Sequence, residues 1–256
     1  MLDIISNLNY LQQTVIFSFI AFIATSLGAA VVFFFKNVNK FVMDISLSLS
    51  AGIMLSSTIF SLIIPAFELV NKNSLTNILC LLEFLLGACF IILGDKILND
   101  NKENNTNKLL VFSIILHNIP EGMAIGIAFA SSYFQNDSTL LIAAILLSVG
   151  IIIQNFPEGS AISLPLKRNG YSSKKSFLYG LLSAIVEPIS AVIGAVVVYK
   201  INFILPFSLT FASGAMLFII IKELIPESQN NKYTNLTALM NLFGFILMML
   251  LDTLFK

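Results

Sequence analysis

The chain has 256 residues, 57% of them hydrophobic and only 11% charged, with a formal net charge of zero and a mean hydropathy of +0.91. Soluble domains carry roughly 25% charged residues, and a neutral chain has no electrostatic reason to bind nucleic acid. The composition excludes an ordinary soluble protein and defines an all-α or barrel-forming membrane protein.

A helix that crosses a bilayer needs about 20 mostly apolar residues. In chain order such windows fall at 10–35, 45–69, 76–98, 109–130, 140–166, 174–199, 204–226 and 234–254, which predicts eight transmembrane helices in one membrane domain covering residues 1–256. Between the sixth and seventh only "KINFILP" intervenes, and reading it as helix would leave seven spans, one of them long and broken. Barrel strands would alternate apolar and polar residues, and runs such as "AVVFFF" and "IAAILL" do not.

The first residues, "MLDIISNLNY", hold Asp3 and no Lys or Arg, so they lack the basic start of a cleaved secretory signal. With eight helices both termini share a side. Lys36, Lys40, Lys96, Lys102, Lys108, Lys167, Arg168, Lys174, Lys175, Lys222 and Lys232 fall in or beside the odd-numbered connections, against Lys72, Lys200 and Lys256 opposite. Eleven against three predicts those connections in the cytoplasm and both termini outside. The longest connection, around "DKILNDNKENNTNK", is Asn-rich and too short for a soluble domain. Cys80 and Cys89, nine apart on the third span, cannot bridge each other and read as small packing residues.

Within this apolar background the fourth span holds "LHNIPEGMA" (116–124) and the fifth "IQNFPEGSA" (153–161). Consecutive spans cross in opposite directions, so two copies of one pattern face each other inverted. A second pair agrees: "SAGIMLSSTIFSLIIPAFE" in the second span and "ASGAMLFIIIKELIPES" in the seventh share Gly-x-Met-Leu and, after a one-residue gap, Ile-Pro with a following Glu. Three helices, a central antiparallel pair and three more form a 3+2+3 inverted repeat, a plan that places a substrate site near the bilayer midplane.

On a helix residues four apart share a face, so His117 lies over Glu121 and Gln154 over Glu158, with Asn118 and Asn155 three from the same acids. Pro120 and Pro157 cannot donate to the carbonyls of Leu116 and Ile153, which bends each helix and frees an oxygen. Gly122 and Gly159, with Ala124 and Ala161, let the two bends approach closely. A carboxylate at mid-membrane costs roughly 2.5–3.5 kcal/mol, and neither span contains Lys or Arg, so the counter-charge must be protons or a metal ion. One imidazole, two carboxylates and amide oxygens make a mixed N/O donor set suited to Zn2+, Fe2+, Mn2+ or Cd2+. An isolated His or Glu in a span is commonly a packing residue, but here the chain's one His opens a motif that recurs on the facing span.

The paired motifs "HNIPEG" and "QNFPEG", with "KELIPES" in the seventh span, resemble the signature of the ZIP (ZRT/IRT-like) metal transporters of bacterial type, over essentially the whole chain. The resemblance implies an eight-helix inner-membrane homodimer, embedded in lipid, that moves divalent metal into the cytoplasm through a two-metal centre and carries no catalytic cofactor. Carried over by position, His117, Glu121, Gln154 and Glu158 would hold one ion. Asn118, Asn155 and Glu187 would hold the second, with the two motif carboxylates bridging. Glu187 also stands out by itself, as an acid followed by Pro188 inside the apolar sixth span. Glu68 is a candidate entrance residue, and Asp95, Glu223 and Glu227 are candidate exit residues, all near helix ends where plain solvated charge reads equally well. Glu83 and Asp252 have no assignment.

Two departures stand out. The connection between the third and fourth spans has no His, where many ZIP relatives carry a His-rich loop, and Lys222 stands where they often have an acid or His. A cation there repels metal unless it pairs with a neighbouring carboxylate. The alternatives are a proton-coupled carrier or exporter that uses the same acids as a relay, and a structural scaffold that would tolerate Ala at both motif Glu positions. An intramembrane metalloenzyme is disfavoured because His-Glu-x-x-His is absent.

Overall fold

The structure, a computed structural model, describes residues 5–70, 74–98, 105–198 and 205–254. Among these the regular structure is helical throughout. In chain order the helices are α1 (Tyr10–Ala30), α2 (Lys40–Ser57), α3 (Ile64–Leu69), α4 (Ser74–Leu98), α5 (Asn105–Gln135), α6 (Ser138–Arg168), α7 (Ser173–Ala184), α8 (Val186–Val198), α9 (Leu205–Ile219), α10 (Ile225–Gln229) and α11 (Thr234–Leu254). They assemble into eight long rods, because α2 runs into α3, α7 into α8 and α9 into α10. Among the described residues seven rods are long and apolar enough to cross a membrane, and the 31-residue α5 is the remaining one. The protein is therefore a multi-pass helical membrane protein. The "KINFILP" junction falls largely at 199–204, outside the described residues.

Polar residues set where the rods begin. Asn9 and Gln12 form a reciprocal capping box at the start of α1, and Asn39 accepts from the Val42 amide at 2.8 Å to open α2. Asp137 does the same for α6 through Thr139, also at 2.8 Å. These side chains satisfy amides that the first turn leaves without partners. The far end of α6 closes through Gly170, whose φ of +93° lets the Tyr171 amide reach the Leu166 carbonyl at 3.1 Å.

Prolines set where the rods change. Ahead of Pro65 the helix widens to a π turn over Thr58–Ile63, and ahead of Pro226 a second π turn covers Ile220–Leu224. A proline has no N–H to give and crowds the carbonyl four residues back, and one widened turn relieves both problems. The two turns are six and five residues long, which absorbs the one-residue gap between the "GIML…IP" and "GAML…IP" stretches. The sixth span instead breaks at Ile185, between α7 and α8, where Pro188 removes the bond to Ala184.

The rods pair closely through glycine. A Cβ on Gly28 would strike the Phe156 carbonyl and one on Gly159 the Thr25 carbonyl, so α1 and α6 touch backbone to backbone. Gly122 and Gly126 meet the carbonyls of Glu187 and Ala191 in the same way, joining α5 to α8. Gly52 and Gly244 join α2 to α11, and Gly87 and Gly214 join α4 to α9. Lipid offers no hydrophobic gain for helix association, so such close approach supplies the cohesion through dispersion contacts. The largest apolar cluster runs through the middle of the bundle, with Met43, Leu47 and Met54 of α2, Ala161 and Leu164 of α6, Met216 of α9, and Ile220 and Leu224 of the second π turn. One end of the bundle is basic: Lys40 bonds the Asn230 carbonyl there, and Lys167 bonds the carbonyls of Val32 and Phe35 and, at 2.7 Å, the Ser173 hydroxyl.

Candidate metal centre

The two motifs lie in the middle of α5 and α6, which run as unbroken α-helix through Pro120 and Pro157, and the glycine contacts just described press them against α1 and α8. Asn118, Gln154, Asn155 and Glu187 are fully buried, and Glu121 and Glu158 are 1% exposed. Glu187 sits in the first turn of α8, where the positive end of the helix dipole favours an anion. The three glutamates lie within electrostatic reach of one another.

The side-chain amides cross-link the cluster. Gln154 donates to Oε1 of Glu121, tying α6 to α5. Asn155 donates to Oε2 of Glu187 at 2.7 Å and to the Ala21 carbonyl at 3.3 Å, tying α6 to α8 and α1. Asn118 donates to the Ser183 carbonyl at 3.0 Å, tying α5 to α7. In all three the NH2 group is engaged, while the amide oxygen is buried and accepts no hydrogen bond among the described residues. The second oxygen of Glu187 is in the same condition. Buried acceptors without donors cost of order 1–3 kcal/mol each, and a cation is the partner that satisfies several of them at once.

The structure thus brings six of the residues expected from sequence into one buried cluster, namely Asn118, Glu121, Gln154, Asn155, Glu158 and Glu187. The side chain of His117 lies outside the described residues. Among those described, no three His, Cys, Asp or Glu side chains converge tightly enough to hold an ion by themselves. A metal here would take amide oxygens along with carboxylates, a donor set that suits divalent ions held without great tenacity.

The four residues expected at the path ends have separate surroundings. Glu68 is exposed at the rim of a cavity of about 470 Å3 whose walls include Ser61, Ser131, Gly150 and Ile153, and whose inner end reaches the turn before Gln154. Asp95 is paired with Lys222, which also lies 5.4 Å from the Phe218 ring centre, so these charges clamp α4 to the second π turn. Glu223 is half-buried on that turn and Glu227 exposed on α10. Cys80 is buried as a packing residue, but Cys89 is exposed on the outer face of α4.

Asp44 is the buried acid that the sequence reading passes over. It is 1% exposed on α2, one residue before the predicted start of the second span. Its signal is only "FVMDISL", an acid followed at once by apolar sequence.

An all-helical, multi-pass bundle with a buried carboxylate and amide cluster on two central helices defines a membrane transporter of cations rather than an enzyme. The sequence model of the ZIP Zinc transporter family matches residues 100–252, and the chain belongs to that family. It is 32% identical to the zinc transporter GufA of Myxococcus xanthus over 92% of this chain and 96% of that one. It is also 32% identical to the zinc transporter ZIPB of Bordetella bronchiseptica, over 91% of this chain and 78% of the other. Human zinc transporter ZIP11 is 29% identical over 94% and 96% of the two chains.

Proposed function

We propose that this chain carries divalent transition-metal ions, zinc foremost with cadmium, iron and manganese behind it, across the cell membrane into the cytoplasm. The observation that carries this reading is the orientation of the central amides: each NH2 group is bonded and each oxygen is left facing without a donor, among three carboxylates. Such a cluster attracts a cation and offers nothing to an anion. His117, Glu121, Gln154 and Glu158 hold one ion, and Asn118, Asn155 and Glu187 hold a second, with the two motif carboxylates shared. The names of the relatives support zinc as the principal cargo.

The basic end faces the cytoplasm of the inner membrane and both termini face outside, in keeping with the distribution of Lys and Arg. The ion enters past Glu68 through the 470 Å3 cavity, reaches Gln154, and leaves toward Glu223 and Glu227. Residues 1–256 act as one transport domain of a homodimer in lipid. Two features support an inverted 3+2+3 repeat: the π turns before Pro65 and Pro226, and the glycine pairings. Exchanging the halves maps the α1–α6 contact onto α8–α5 and the α2–α11 contact onto α9–α4.

The test is uptake of Zn2+, Cd2+, Fe2+ and Mn2+ into proteoliposomes of the purified protein, with and without an imposed pH gradient. Zinc accumulates in both conditions. Exclusion of all four metals would overturn the reading, and a pH-driven flux without metal would favour a proton relay instead.

A further inference from the structure

Between the motif carboxylates and the basic end, Leu47 of α2, Ala161 and Leu164 of α6, and Ile220 and Leu224 of the second π turn pack together, with the Ser46 and Ser160 hydroxyls bonded at 2.9 Å beside them. One turn beyond Leu47 stands Asp44, and neither of its carboxylate oxygens takes a hydrogen bond among the described residues. The groups facing it come from four elements: Lys40 on α2, Arg168 at the end of α6, Glu227 on α10 and Asn231 in the turn to α11. Asn231 is near enough to act on the carboxylate as a hydrogen-bond donor, and each of the three donors also has a contact elsewhere. Lys40 bonds the Asn230 carbonyl, Arg168 lies 3.5 Å from the Met43 sulfur, and the Asn231 amide bonds the Ser228 carbonyl at 2.6 Å and the Tyr233 N–H at 2.5 Å.

A buried carboxylate whose oxygens accept no close hydrogen bond is expensive to keep, and Asn231 offsets only part of that cost from nearby. Arg168 and Lys40 balance its charge from a distance without occupying its oxygens. Asp95, the other acid near this end of the path, is already neutralised by Lys222 on the α4 side.

We propose that Asp44 is a cation-binding station on the basic side of the apolar cluster, which takes the divalent ion as it leaves the central site and hands it to Glu227 at the mouth. The inference rests on the transport reading above. One carboxylate with no imidazole or thiolate beside it binds a transition metal weakly, which suits a station on the way out. Arg168 supplies the resting counter-charge and gives way to the ion. Arg168 also ends the helix that carries Gln154 and Glu158, so the exchange acts on the element that holds the central site.

The test compares zinc uptake into proteoliposomes by the wild-type chain and by Asp44→Asn, Asp44→Glu and Asp44→Cys. Wild-type uptake validates the transport reading independently, and its absence would sink that reading rather than this one. Asp44→Asn is expected to lower the maximal rate by roughly ten- to a hundredfold, the range seen when groups that support a metal site are removed. The external zinc concentration for half-maximal rate should stay unchanged, and Asp44→Glu should restore most of the rate. In Asp44→Cys, an impermeant thiol reagent applied from the Lys174 side should react more slowly when zinc is present. A wild-type maximal rate in Asp44→Asn overturns the proposal. So does thiol labelling that zinc does not slow, which assigns Asp44 a structural part only.

Discussion

Asn155 on α6 gives one side-chain N–H to the Glu187 carboxylate at 2.7 Å and another to the Ala21 carbonyl at 3.3 Å, so a single amide joins three helices at the centre of the bundle. Its oxygen accepts no hydrogen bond among the described residues, nor does the second oxygen of Glu187. On the proposed reading the pair shares a cation.

Glu187→Gln keeps the shape and removes the charge. Bound metal should fall from about two equivalents to about one, while some transport remains, because the first ion rests on other groups. Metal analysis of the purified protein gives the stoichiometry, and an unchanged value would make Glu187 a packing residue.

On the proposed reading the two motif carboxylates supply the negative charge that replaces the ion's water. Glu121→Ala and Glu158→Ala should each nearly abolish zinc uptake. Glu121→Ala should also cost stability, since it strips the acceptor from the Gln154 amide and leaves that donor buried, a loss of about 1–3 kcal/mol. Thermal unfolding in detergent beside the flux assay separates the two effects.

Metal preference should follow the neutral donors. Imidazole favours zinc and cadmium over manganese more than an amide oxygen does. Gln154→His should shift competition toward zinc, and His117→Gln should shift it toward manganese or iron while flattening the pH dependence of uptake between about 5.5 and 7. Mixed-metal uptake at two pH values reads both, and an unaltered ranking in both variants would place these side chains away from the ion.

Gly122 leaves no room for even one methyl group, because the Glu187 carbonyl and the Ser190 hydroxyl occupy the place of its missing Cβ. Gly122→Ala should push α8 away, destabilise the bundle by of order 1–3 kcal/mol and lower metal binding with it. Retention of wild-type unfolding temperature and bound metal would show that α5 and α8 are not in contact there.

Orientation has a direct check in a chain whose two cysteines are replaced by serine. A cysteine at Lys174 should resist an impermeant thiol reagent in intact cells, whereas one at Gln135, exposed at the opposite end of the bundle, should react. The opposite pattern would reverse the direction of transport.

Much of this was legible in the sequence. Hydropathy marks the membrane bundle, and the repeated x-Asn-x-Pro-Glu-Gly pattern marks five of the six residues that come together in three dimensions, with Glu187 marked by its place in an apolar span. What stayed hidden depends on backbone and on depth. The carbonyls of Ala21 and Ser183 orient Asn155 and Asn118, yet a carbonyl leaves no trace in residue type. The prolines at 65 and 226 announce a disturbance, but a bend and a widened turn have the same sequence signal, and only coordinates choose the π turn. Glycines at 28, 52, 122 and 159 read as small residues without naming the rod they meet. Asp44 was lost to a boundary, because an acid one residue outside an apolar window looks like a solvated helix end.

The apolar packing of Leu47, Leu164, Ile220 and Leu224 also has an electrical meaning. If the ion takes the proposed path, it meets little water at this packing, while the cavity on the Glu68 side opens nearly to Gln154. On the path proposed above, most of the membrane voltage therefore drops across this short stretch. A divalent ion passing through it moves two charges down the field, about 4.6 kcal/mol at 100 mV, twice the cost for one charge. A negative interior would then pull zinc toward the cytoplasm with no coupled ion, and the rate of uptake would report the voltage across the vesicle wall.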